Sequence, residues 1–162
     1  MPFNLSSWQF GTPRSPQQAA IMRTCEEVMI AFCDLVDAGN LDAATALHVE
    51  DLVFYDVGRT DPMHGRDKLA KRLNAVRFCY PGRKTLHTPS NFRFHKVDES
   101  SAECRVVISL YDLVAIPGGR GIGAYSTELL GYAAEDIRFV FDNDGRWKMQ
   151  TRSVRFLSAT RF

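Results

Sequence analysis

The chain has 162 residues, 45% of them hydrophobic and 24% charged, which fits one globular domain and excludes collagen-like or disordered classes. Twenty basic residues against 19 acidic ones leave a formal charge of +1, so no strong field recruits nucleic acid or an anionic membrane. No apolar run approaches the roughly 20 residues that span a bilayer. Met1-Pro2-Phe3-Asn4-Leu5 lacks the basic and apolar regions of a signal peptide. A soluble, cytoplasmic protein without nucleic-acid or membrane partners is expected.

Residues 1–14, with Trp8 and Phe10 and no period, read as an arm ahead of a domain over 15–162. Ser15-Pro16-Gln17-Gln18 is a helix start: Ser15 can cap, Pro16 suits the first position, and Gln18 completes a capping box. Ile21, Cys25, Val28, Phe32 and Leu35 recur as one apolar stripe, and Gly39 supplies a stop, which predicts a helix near 16–38. A short helix over 41–48, a strand over 52–57 and a third helix over 66–77 follow. Four strands are then predicted near 84–97, 102–115, 124–141 and 146–158. Asp98-Glu99-Ser100-Ser101 and Asp142-Asn143-Asp144-Gly145 are turn signals that make the neighbouring strands antiparallel hairpins. The class is α+β: a strongly curved, mostly antiparallel sheet with about three N-terminal helices on one face.

Several features carry little chemistry. Cys25, Cys33, Cys79 and Cys104 form no CxxC pair and read as reduced, buried thiols. His48, His64, His87 and His95 show no HxxxH or HExxH spacing, so no metal site is predicted. Gly119, Gly121 and Gly123 echo a dinucleotide fingerprint, but a strand rather than a helix follows them, as in a hairpin loop.

Four polar residues are more informative. Asp37 falls in the last turn of the first helix, off the apolar stripe, where a carboxylate opposes the helix dipole; alone it reads as a solvated acid. His87 and Asn91 share strand parity with Arg93 and His95, opposite Phe92 and Phe94, so alternation places them on a polar face. A strongly curved sheet can instead turn that face into a wet cavity. Asp112 shares a face with Cys104, Val106, Ile108 and Leu110, hence sits either at a strand mouth or buried with a partner. Arg152 is the same anomaly beside Val154 and Phe156, able to neutralise a carboxylate or to hold an anionic ligand group.

The order of these elements and four local phrases resemble the SnoaL-like branch of the nuclear transport factor 2 superfamily, over roughly residues 16–158. The phrases are Phe32-Cys33-Asp34-Leu35-Val36-Asp37-Ala38-Gly39, His87-Thr88-Pro89-Ser90-Asn91-Phe92-Arg93, Leu110-Tyr111-Asp112 and Gly145-Arg146-Trp147-Lys148-Met149. Scytalone dehydratase and bile acid dehydratase belong to the same kind of protein. The resemblance implies a cone of curved sheet closed by helices, with Asp37 as a catalytic acid and His87 as the catalytic histidine. It also implies a second acid at Asp112, and Arg152 at the position where the related hexachlorocyclohexane dehydrochlorinase carries an active-site arginine. Phe32 and Val36 stand where relatives carry Tyr or Lys, so Tyr55, Tyr111 or Tyr125 are candidates to polarise a substrate in their place.

The resulting expectation is a cofactor-independent lyase or isomerase, dehydratase-like, acting on a hydrophobic ring-bearing small molecule. His87 is the general base, Asp37 orients it, Asp112 is a second acid, and Arg152 and Asn91 stabilise an oxyanion. Phe32, Tyr55, Tyr111 and Tyr125 complete the substrate-binding set. The alternative is a non-catalytic small-molecule binding or assembly module of the same fold, the role of the β subunit in ring-hydroxylating dioxygenases. Epoxide hydrolysis ranks third, because no DxRxD triplet is present. A homodimer through the open sheet face, with Phe92, Phe94, Phe139, Phe141 and Phe156 as contacts, is also expected.

Overall fold

The structure, a computed structural model, describes residues 14–57, 60–78, 84–117 and 125–159. The expected arm before Arg14, Cys79 and the Gly119–Gly123 loop lie outside these residues.

Helix α1 (Pro16–Ala38) begins and ends where its terminal residues dictate. Ser15 Oγ accepts the Gln18 N–H at 3.1 Å and Gln18 Oε1 accepts the Ser15 N–H at 3.1 Å, a reciprocal cap. At the far end Gly39 takes φ 76°, a conformation that lacks a Cβ penalty only for glycine, and Asn40 N–H closes onto Leu35 O at 2.8 Å. The last turn, which carries Asp37, is thereby fixed in place.

Asn40 caps α2 (Leu41–Ala46) by accepting the Ala43 N–H at 3.3 Å. This helix is shorter than predicted, because His48 already opens strand β1 (His48–Tyr55). Met149 N–H donates to Leu47 O at 3.0 Å, and that long-range pairing pulls the chain out of the helix. A two-residue strand β2 (Met63–His64), not foreseen, precedes α3 (Arg66–Phe78). The remaining strands match expectation to within one residue at each end: β3 (Lys84–Val97), β4 (Ser101–Ala115), β5 (Tyr125–Phe141) and β6 (Trp147–Ala159).

The described residues form three helices and an open six-stranded sheet of order β2-β1-β6-β5-β4-β3, in which only β1 and β6 run parallel. This is the expected α+β cone architecture. Both turn signals are tight hairpins, closed by Asp98 N–H to Ser101 O at 2.8 Å and Gly145 N–H to Asp142 O at 2.9 Å. None of the described helices is long and apolar enough to cross a membrane.

The sheet's inner face packs on α1. Ile21, Cys25, Met29, Phe32 and Cys33 of the helix meet Phe94, Cys104, Val106, Ile108, Ile137, Phe139 and Met149 of the strands. A smaller cluster of Val49, Leu52, Phe54 and Leu69 holds α3 against β1. Phe94 and Phe139 are therefore core residues and do not belong to an open face, contrary to expectation; Phe139 is fully buried. Phe141 is exposed and leans on Trp147, with ring centroids 5.7 Å apart.

Curvature comes from register shifts, and one of them decides where His87 points. Between Ser90 and Arg93 the pairing of β3 with β4 slips, and Asn91 inside the slip adopts φ 52°. The slip reverses parity. Before it His87 pairs with Leu110, after it Phe94 pairs with Cys104, and both partners lie on one face of β4. His87 and Phe94 consequently share the inner face, where plain alternation separates them.

Candidate active site

Asp37 and His87 meet where the end of α1 reaches β3, the edge strand of the sheet. An edge strand leaves backbone donors unpaired on its outer side. Asp37 takes one of them: Oδ2 accepts the His87 N–H at 2.7 Å. Oδ1 faces His87 Nδ1 at 2.5 Å and accepts the Thr85 hydroxyl at 3.4 Å. One carboxylate thus holds the helix end, the strand backbone and the imidazole together. The side chains of Asp37 and His87 keep 13% and 25% of their surface accessible, so the pair is sheltered yet reachable.

The contact fixes the tautomer. An ionised carboxylate can only accept, so Nδ1 carries the proton and Nε2 of the neutral ring carries a free lone pair. The solvated-acid reading of Asp37 does not hold, because the edge strand supplies donors that spacing along the helix cannot reveal.

Asp112 belongs to the same neighbourhood. Leu110 stands opposite His87 and Asp112 stands opposite Thr85, which places Asp112 diagonal to the imidazole on the inner face. Its exposure is 2%, so it is buried.

Arg152 lies elsewhere on that face. Its Nε and Nη2 donate to Glu135 Oε2 at 2.9 and 2.5 Å, and Nη1 approaches His48 Nε2 at 3.4 Å. The guanidinium carbon sits 4.1 Å from the Phe32 ring centroid and 5.4 Å from that of Phe54. Glu135 is four residues along β5 from Gly131, the residue level with Leu110 and hence with His87, and two strands across the sheet. Arg152 and Phe32 therefore form an ionic floor distinct from the Asp37–His87 contact.

The other expected binding residues diverge. Tyr55 follows inward-facing Phe54 and pairs with Ser153, so it turns to the outer face and is exposed. Tyr111 alternates with Asp112 and pairs with exposed Leu86, again on the outer face. Asn91 is exposed at the register slip, where its contribution is backbone conformation. The backbone of Tyr125 opens β5 opposite Ala115, and its side chain lies outside the described residues.

Sequence alone does not single out Glu135, His48 or Thr85. Glu135 shares parity with Ala133, Ile137 and Phe139, the same apolar-face anomaly that marks Asp112 and Arg152. His48 falls at the end of the helix predicted over 41–48, whereas in the fold it opens β1.

His48 donates from Nδ1 to Thr45 O at 3.3 Å and is fully buried. Burial, reinforced by the Arg152 charge, pulls its pKa from 6.5 down to about 3. In acid the unfolded chain therefore binds this proton before the fold does. The contribution is intact above pH 6.5 and is lost as the pH falls towards about 3. His48 therefore makes the fold steadily less stable as the pH falls across that window. Urea unfolding from pH 7.5 to pH 4 should show the decline, and His48→Gln should flatten it.

Comparisons with known proteins agree with this architecture. The SnoaL-like domain family matches residues 17–153. No curated protein sequence matches the chain. Among solved structures, a scytalone dehydratase candidate from Novosphingobium aromaticivorans superposes with TM-score 0.71 at 24% identity, covering 90% of each chain. A Catenulispora acidiphila protein in complex with S-DNPA gives TM-score 0.69 at 20% identity, covering 86% of this chain and 95% of that one. ActVI-ORFA from Streptomyces coelicolor gives 0.71 at 12% identity, covering 85% and 98%. At these identities the likeness is one of fold. With the family matched over most of its length, the chain belongs to the SnoaL-like domain family.

Proposed function

We propose that the protein is a cofactor-independent lyase or isomerase, dehydratase-like, that acts on a hydrophobic ring-bearing carbonyl compound with His87 as general base. The observation that carries this reading is the 2.5 Å contact between His87 Nδ1 and Asp37 Oδ1 on the inner face. Nε2 removes the proton from carbon next to the substrate carbonyl, and the ring becomes an imidazolium stabilised by Asp37. In a dehydration, the electron pair left on that carbon forms the double bond as the β-hydroxyl departs. The leaving oxygen takes the proton back from the imidazolium and leaves as water. In an isomerisation the same proton returns to a different carbon. The complex of a fold neighbour with S-DNPA supports small-molecule binding in this fold.

The test is proton NMR in D2O with a panel of ring-bearing β-hydroxy ketones, which reports carbon-bound deuterium and enone formation together. The wild-type protein should process at least one compound about 10²–10⁴ times faster than His87→Gln. Equal rates for both proteins across compounds that bind would assign the fold to a binding module instead.

A further inference from the structure

The inner face has an uneven charge balance, and the balance bears on what can enter. Among the described residues, Arg152 is the one cationic side chain buried there, and Glu135 Oε2 already receives two of its nitrogens. Its third nitrogen faces the ring of His48, and Phe32 lies across the guanidinium at 4.1 Å. The positive charge is thus answered within the fold. Asp37 remains beside His87, which the base role requires to be neutral, and buried Asp112 stands diagonal to it on the same face. Among these described residues, Glu135 and Asp37 against Arg152 leave a negative balance.

We infer that this site accepts an uncharged ring compound and discriminates against the carboxylate-bearing analogue of the same ring. This rests on the reading of His87 as the base. A ligand carboxylate near His87 would meet Asp37 at short range, in surroundings where water screens poorly. No buried guanidinium among the described residues is left to pair with it. An uncharged substrate suits the chemistry for a second reason. Transfer of a proton from a neutral C–H to neutral His87 creates one positive and one negative charge together, so the net charge of the site does not change. An anionic substrate would instead place two negative charges beside Asp37 at the same step. Arg152 has a different role: its charge serves Glu135 and the floor, and does not anchor an anionic ligand group.

The experiment uses two reagents of nearly equal size, iodoacetamide and iodoacetate, on the wild-type protein. Each alkylates an imidazole by displacing iodide from carbon, and peptide mass spectrometry reads the rate at each histidine. His64 is exposed and serves as the reference within the same molecule. The preference for the amide over the carboxylate should be at least about tenfold greater at His87 than at His64. Equal preference at the two histidines, or faster reaction of iodoacetate at His87, overturns the charge inference while leaving the base role standing. Failure of both reagents at His87, with His64 modified, overturns the inference together with the reading beneath it, because no ligand could then reach Nε2.

Discussion

Replacing Asp37 by Asn should lower kcat/KM by about 10²–10⁴ while leaving the protein folded. Two N–H groups converge on the Asp37 carboxylate, the His87 backbone at 2.7 Å and the imidazole Nδ1 at 2.5 Å. A carboxylate has an oxygen for each of them, whereas a carboxamide has only one oxygen. The backbone donor cannot change its character, so the Asn oxygen stays with it and the amide N–H2 turns to the ring. Nδ1 must then accept, its proton moves to Nε2, and the lone pair that abstracts the substrate proton is gone. The link between α1 and β3 survives through the backbone bond, while the ring contact and the long Thr85 hydroxyl bond to Oδ1 both weaken, so the stability loss is about 1–2 kcal/mol. Steady-state enone formation and nitrogen-15 spectra of the imidazole check the two halves separately. A variant with the proton shifted to Nε2 that still turns over at the wild-type rate would remove His87 from the chemistry.

The parts of this site that sequence reveals are those governed by local rules. The Ser15–Gln18 box and Gly39 set the ends of α1, and with them the position of Asp37. Asp112 and Arg152 stand out because a charged residue on an apolar strand face needs an explanation; the sequence leaves Asp112 open between a strand mouth and burial, and in the fold both residues are buried. What escapes is whatever depends on tertiary pairing. The parity of His87 cannot be read along the strand, because the slip at Asn91 is a property of how β3 pairs with β4. Nor does the helix show that an edge-strand N–H awaits Asp37. His48 follows the same rule: α2 propensity extends to it, but pairing with β6 claims it for β1. Phe94 and Phe139 erred in the opposite direction, since an aromatic strand face fits a dimer and a core equally well until the position of α1 is known.

Breaking the floor of the sheet on one side should be more damaging than removing it altogether. Arg152 is 3% exposed and Glu135 5%, with Nη2 and Oε2 2.5 Å apart. Glu135→Gln leaves a buried guanidinium without its counter-charge, and Arg152→Met leaves a buried carboxylate; each should destabilise the fold by about 3–5 kcal/mol. The double variant removes both charges and keeps their approximate volumes, so its loss should fall well below the sum of the single losses. Met can also rest on Phe32 and Phe54, the rings that flank the guanidinium, through a sulfur–aromatic contact. His48 limits the recovery, because its Nε2 loses the Arg152 donor in both Arg152 variants. Urea unfolding of the four proteins gives the coupling, and single losses that simply add would refute the pairing argument. The same double variant separates structure from chemistry at Arg152. A refolded floor with turnover retained assigns the arginine to the architecture, while a refolded floor with turnover lost by orders of magnitude places it in the reaction.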